Sequence, residues 1–399
     1  MKSAPALQPE GDRSGRAMRR GDYLFVLIGE VGAIAVIQLL PMLHLSIFEY
    51  AAYSAIYLGF AAFITAKFAL LSDVWARRTQ QDGGGNALNH TYMSMLTAVA
   101  LLGGIVVGTL TSAIAQDLLL GSVALCAVSA GVYRAGTAYR LIGNGRALRA
   151  GLTEIAGACC AGTAALIIVL NDSYSTLTAL ACWAISPLVS SLGTPMLPRL
   201  HPREVTGWLR ENRSAIRALV GESLIKNVES IGTPYLLGGL GGAAALALYR
   251  AGSSLTYPVR ILIDAVRARI VNGSIKANGR TLAVLTAAGG GMGACVAGAL
   301  FAADSWGLGQ DAVLGLLAHH IFAVWAWVWV TAISTFIQFA GRGYFDPRSL
   351  ILRRIAHTLV VMLGTAAALL IFGVGAVIWG AVITRVLAIP LWLVGRNRQ

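Results

Sequence analysis

Thr91–Ala150 reads TYMSMLTAVALLGGIVVGTLTSAIAQDLLLGSVALCAVSAGVYRAGTAYRLIGNGRALRA. It holds two apolar runs, Thr91–Ile114 and Leu118–Tyr139. Each can cross a bilayer core, which takes about 20 residues at about 1.5 Å per residue. The short connection between them, Ala115–Asp117, has no Lys or Arg, while the connection that follows has Arg140 and Arg146. Basic residues are retained on the cytoplasmic side, so this one stretch both detects and orients a pair of transmembrane helices.

Working outward, the same pattern fills the chain. Twelve span-length runs are predicted: Asp22–Leu43, Ser46–Leu71, Thr91–Ile114, Leu118–Tyr139, Arg149–Leu170, Thr176–Leu197, Ile216–Leu237, Ala243–Val266, Thr281–Ala303, Ala312–Phe339, Ile355–Phe372 and Gly375–Val394. Helix is the reading that satisfies every backbone group in lipid, and short alternating barrel segments are not seen. Every second connection is basic, ending in Arg342, Arg348, Arg353 and Arg354. The others (Leu43–Leu45, Ala115–Asp117, Asn171–Ser175, Gly238–Gly242, Asp304–Asp311, Gly373–Val374) have no Lys or Arg. Both termini are therefore expected in the cytoplasm.

Composition agrees. Only 12% of the 399 residues are charged, against about 25% in a soluble domain, which excludes a water-soluble enzyme. The 31 Lys and Arg exceed the 18 Asp and Glu by 13, but they map to connections, so no nucleic-acid partner is expected. The basic tail, residues 1–21, has no apolar core, reads as disordered, and is not a cleavable signal peptide. Cys126, Cys159, Cys160, Cys182 and Cys295 lie inside spans without C-x-x-C spacing and read as packing residues. No metal site or cofactor is expected, and there is no phosphate loop. The chain is not expected to be an enzyme.

The longest cytoplasmic connection, residues 198–215, splits the spans into lobes of six, residues 22–197 and 216–399. Its Trp208 and Leu209 fit an interfacial amphipathic segment. Two lobes of six enter the membrane in the same sense, so a parallel pseudo-repeat is expected. Asp73 and Arg78 at the end of span 2 match Asp264 and Arg269 at the end of span 8 in register. Gly104–Gly108 and Gly289–Gly293 have the spacing of close helix crossings. Pro234 and Pro258 predict kinks, since proline removes a helical hydrogen bond.

Ionisable side chains at membrane depth cost a few kcal/mol and are functional candidates. Glu30, Lys226 and Arg385 fall at predicted span centres, Arg250 in the outer third of span 8, and Arg134 and Glu154 in the inner thirds of spans 4 and 5. Lys67 and Arg260 are close enough to the inner face to snorkel and are discounted. Glu222, Lys226 and Glu229, spaced i, i+4, i+7, share a helix face. They form either a self-neutralised ladder between helices or a polar cavity wall. In the second case Lys226, Arg250, Arg385 and Arg134 would bind an anionic substrate, and Glu30, Glu222, Glu229 and Glu154 would pair with bases or hold a coupling cation, Na+ or H+. His319 and His320, about 100° apart on a helix, and Trp325, Trp327 and Trp329 read as packing residues.

Gly221-Glu222-Ser223-Leu224, Leu236-Leu237-Gly238-Gly239-Leu240, Ala247-Leu248-Tyr249-Arg250-Ala251-Gly252 and Tyr257-Pro258-Val259-Arg260 resemble the opening of the second lobe in bacterial polysaccharide (O-antigen-type) flippases. These belong to the multidrug/oligosaccharidyl-lipid/polysaccharide exporter superfamily. The resemblance covers most of the chain through diffuse motifs. It implies an all-α polytopic fold, two six-helix lobes around a central cavity, and alternating access in the bacterial inner membrane. It further implies movement of a lipid-linked sugar diphosphate from the cytoplasmic to the outer leaflet, with membrane lipids and polysaccharide-assembly enzymes as partners. A cation-coupled multidrug antiporter and a non-transporting scaffold for envelope polysaccharide assembly are the alternatives.

Overall fold

The computed structural model describes residues 20–75, 78, 86–194, 197–260, 263, 279–309, 312–341, 345 and 347–393. Side chains are described for fewer of these; Glu222 and Lys226 are among those left out. The tail, residues 1–19, lies outside the described residues. All regular structure among the described residues is helical.

Among the described residues, ten helices are long and apolar enough to cross a membrane. Nine of them are single spans: Leu24–His44, Ile47–Trp75, Leu88–Ala115, Leu118–Gly143, Ala147–Leu170, Arg280–Ser305, Ile321–Gly341, Arg348–Phe372 and Val374–Leu393. They correspond to predicted spans 1–5 and 9–12. Span 6 is Thr176–Leu192, shorter than predicted because Gly193 caps it before Pro198.

The tenth helix, Val228–Ser254, contains the turn between spans 7 and 8. Gly242 has φ 71° and ψ −166°, a conformation essentially reserved for glycine. A Cβ on Gly238 would lie 3.2 Å from Leu246 Cδ1, although eight helical residues span about 12 Å. The chain therefore doubles back. Span 7 runs from Arg213 to the turn and span 8 leaves it, which restores twelve crossings.

The bounds of spans 10 and 11 need correction. Span 10 is not one helix from Ala312. A short helix, Val313–Ala318, ends at a turn formed by His319 and His320 before Ile321 resumes. These histidines thus break the helix instead of projecting from one. The helix of span 11 begins at Pro347, so Arg353 and Arg354 are helical. The guanidinium of Arg353 lies 4.0 Å from the Phe345 ring centroid.

The pseudo-repeat has a local signature in the backbone. Span 1 widens into a π-helical turn at Ala35–Leu39, and Pro41 follows two residues on. Span 7 widens at Val228–Gly232, and Pro234 follows two residues on. A proline ring clashes with the carbonyl four residues back and gives it no partner, and a π turn relieves that clash. In span 1 the freed carbonyl of Ile37 accepts from the Tyr53 hydroxyl at 2.6 Å. Pro258 also follows a helix break, a turn at Leu255–Thr256. The span 8 counterpart of Asp73 lies outside the described residues.

Within the first lobe span 1 packs on span 5, span 3 on span 4, and span 6 on both spans 4 and 5. Both G-x-x-x-G spacings lie at crossings. A Cβ on Gly108 would meet the Gly121 carbonyl at 2.8 Å, and one on Gly293 the Trp325 carbonyl at 2.8 Å. Span 2 carries much of the contact between the lobes, where the Tyr235 hydroxyl of span 7 donates to the Ala55 carbonyl at 2.8 Å. The inter-lobe helix Pro202–Glu211 is amphipathic, but its Trp208 faces protein instead of lipid headgroups. Trp208 Nε1 donates to the Leu70 carbonyl at 2.9 Å, in a third π turn, Phe68–Ser72.

Candidate functional site: three buried ionic centres

The charged candidates separate into three places. The first is in the second lobe. Glu229, on the π turn of span 7, has Arg385 Nη2 at 3.8 Å from one carboxylate oxygen and His357 Nε2 at 3.8 Å from the other. Arg385 is 5% exposed. It also donates to the Tyr249 hydroxyl at 3.3 Å and lies 5.2 Å from the Trp327 ring centroid. Glu229 is thus held by spans 11 and 12, and Arg385 is a charge partner. The rest of the expected Glu222–Lys226–Glu229 face, the side chains of Glu222 and Lys226, lies outside the described residues.

The second centre is in the first lobe. Arg134 of span 4 forms an ion pair with Glu154 of span 5 and donates to the Ala150 carbonyl at 3.2 Å. The charge of Glu30, on an exposed face of span 1, also acts on Arg134. Glycine sets this geometry. A Cβ on Gly29 would lie 2.5 Å from Glu154 Cβ, and one on Gly151 would meet the span 1 backbone at 2.6 Å. Spans 1 and 5 therefore touch at the level of the pair.

Lys67 adds to this lobe and corrects an expectation. It is expected to snorkel, yet it is fully buried and its Nζ has no hydrogen-bond partner among the described residues. The ammonium sits 3.7 Å from the Phe68 ring centroid, so an aromatic face replaces water.

The third centre lies between the lobes. Arg250 of span 8 is 6% exposed and donates to Gln38 Oε1 of span 1 at 3.2 Å. Its guanidinium stands 4.4 Å from the Tyr57 ring centroid. Gln38 Nε2 donates to the Tyr57 hydroxyl at 2.8 Å, and that hydroxyl lies 3.4 Å from the hydroxyl of Tyr257. Gln38 belongs to the π turn of span 1. Taking such a cation out of water costs several kcal/mol, which a carboxylate normally offsets. Among the described residues Arg250 forms no ion pair; an amide, a ring and tyrosine hydroxyls surround it.

Arg385 and Arg134, expected to share an anion site, are thus each paired with a carboxylate, and Arg250 is separate. His357, Gln38, Tyr57, Tyr257 and the buried state of Lys67 were missed. A histidine inside span 11 and an amide inside span 1 were the available signals. No group of three His, Cys, Asp or Glu able to hold a metal ion occurs among the described residues. The five cysteines are free, and only Cys182 is buried.

No protein-family model and no curated protein matches this chain. Solved structures do match. An inward-facing multidrug resistance MATE family transporter of the MOP superfamily aligns over 94% of this chain and 98% of its own, with a TM-score of 0.64 at 16% identity. The chain shares the fold of this structure. The lipid II flippase MurJ in an inward closed conformation aligns over 93% of this chain and 86% of its own, with a TM-score of 0.63 at 11% identity. A MATE protein in a straight conformation gives 0.57 at 17% identity, over 94% of both chains. The twelve helices and two lobes follow this fold, and the protein is a multi-pass membrane protein.

Proposed function

We propose that this protein is a flippase for a lipid-linked sugar diphosphate in the bacterial inner membrane. Its two lobes rock to carry the anionic headgroup from the cytoplasmic to the outer leaflet while the lipid tail stays in the bilayer. The observation that carries this reading is Arg250, a buried cation at the contact between the lobes with no carboxylate partner among the described residues. A diphosphate entering between the lobes would supply the missing negative charge, and in a low dielectric that pairing is strong. A non-transporting scaffold would have its buried charges paired. The likeness to a lipid II flippase supports an anionic lipid substrate. Lys226 remains the second proposed base. Polysaccharide-assembly enzymes are the proposed partners.

The cation-coupled multidrug antiporter stays as the second reading, because Glu30 is an exposed carboxylate at membrane depth and several of the similar structures are MATE proteins. A reconstituted leaflet-translocation assay with a lipid-linked oligosaccharide separates the two. Arg250→Ala is expected to lower the rate roughly tenfold to a hundredfold, the worth of one charge-assisted hydrogen bond, with insertion retained. Arg250→Lys is expected to recover part of it. Absence of translocation by the well-inserted wild type would overturn the flippase reading, full activity of a well-inserted Arg250→Ala protein would overturn the role of Arg250, and cation-driven drug efflux by the same vesicles would establish the other reading.

A further inference from the structure

We infer that His357 is a proton-binding site whose protonation sets how span 7 is held to spans 11 and 12. The imidazole is 1% exposed. Its Nδ1 faces Trp392 Nε1 at 3.3 Å, and an indole N–H can only donate. Its Nε2 faces the side-chain nitrogen of Gln338 at 3.2 Å. Arg354 donates to Gln338 Oε1. A guanidinium has no acceptor, so this contact turns the amide NH2 toward the ring. Both ring nitrogens therefore meet N–H donors. A neutral imidazole accepts at one nitrogen only, so neither neutral tautomer satisfies both neighbours.

The charges around the ring come from every element packed against it. Span 7 contributes Glu229, with Oε2 at 3.8 Å, and span 12 contributes Arg385, itself 3.8 Å from the same carboxylate. Span 11 contributes Arg354, and Arg260 at the end of span 8 also acts on Glu229. A bound proton makes both ring nitrogens donors. The ring then has no favourable contact with Trp392 or Gln338, and Glu229 and the Ala388 carbonyl are the acceptors left to it. Loss of the proton returns an acceptor to Trp392 and leaves Glu229 to Arg385. Glu229 stands on the π turn Val228–Gly232, just before Pro234, where the span 7 backbone is weakest. The proton thus acts at the bend of the span that meets the other lobe.

The test uses the full chain in detergent micelles. A charged imidazole quenches an adjacent indole, so tryptophan fluorescence is followed between about pH 5 and 8, the range in which histidine changes charge. The wild type is expected to show a reversible transition. Its amplitude falls in Trp392→Phe, it disappears in His357→Gln, and it is displaced in Glu229→Gln. A wild type without a transition, or a His357→Gln protein that keeps it, overturns the inference. If His357→Gln does not insert, undiminished amplitude in Trp392→Phe together with an undisplaced Glu229→Gln transition does so. A second arm, which rests on the flippase reading, measures translocation against pH in vesicles; the wild-type rate is expected to vary and the His357→Gln rate to be flat. Absence of translocation in every variant alongside an intact fluorescence transition overturns the flippase reading and leaves the proton site standing.

Discussion

Arg134 and Arg250 are both buried guanidinium groups, and their partners separate them. Arg134 has Glu154, so removing the arginine leaves a carboxylate stranded in a desolvated place. Arg134→Ala is expected to cost roughly 3 kcal/mol, at the low end for a broken buried pair because Glu154 keeps 18% side-chain exposure. Thermal unfolding in detergent measures this. The double change Arg134→Met with Glu154→Leu is expected to recover most of the loss, because an apolar pair of similar volume needs no compensation. A double variant no better than the single one would mean that Arg134 acts through something other than the pair. The sequence located all of these charges but not their partners. Depth along a helix is legible from hydropathy, whereas the face a residue presents to its neighbours depends on tertiary packing. Lys67 illustrates this: its position permits snorkelling, yet the rings of Phe68 and Tyr139 enclose it.

At the scale of elements, glycine and proline decide where helices turn and bend. The Gly238–Gly242 connection was readable as a gap between apolar runs, and the structure makes it a turn through one residue. Gly242→Ala is expected to cost about 1–3 kcal/mol, since φ 71° with ψ −166° is closed to side chains. Gly239→Ala, three residues away with open space around its Cβ position, is expected to cost nothing. Comparing the two unfolding midpoints isolates backbone strain from loss of glycine as such. The π turns were not legible. Pro234 predicted a kink, but the widening that absorbs it depends on the neighbouring turns, and in span 1 the freed Ile37 carbonyl is satisfied by Tyr53 from another span. The break at His319–His320 was hidden for a related reason. The apolar run is continuous across it, and hydropathy does not register a short turn inside a span.

For the whole molecule, the charge excess of 13 orients the chain more than it binds anything. Lys and Arg are absent from every outer connection, so twelve crossings put both ends of the chain on the basic side. Two exposed loop positions test this. Ser173 lies in the connection after span 5, and Asn144 lies in the basic connection after span 4. With the native cysteines confined to spans, Ser173→Cys is expected to react with a membrane-impermeant maleimide in intact cells, and Asn144→Cys only after permeabilisation. The reverse pattern would invert the molecule. The contact of Arg250 and Gln38, now placed toward the outer ends of spans 8 and 1, would then lie toward the cytoplasm, and a diphosphate entering from the inner leaflet would meet that closed contact first. The labelling experiment therefore bears on mechanism as well as topology. In the orientation read from the connections, an anionic headgroup enters from the cytoplasm beneath a contact closed on the outer side.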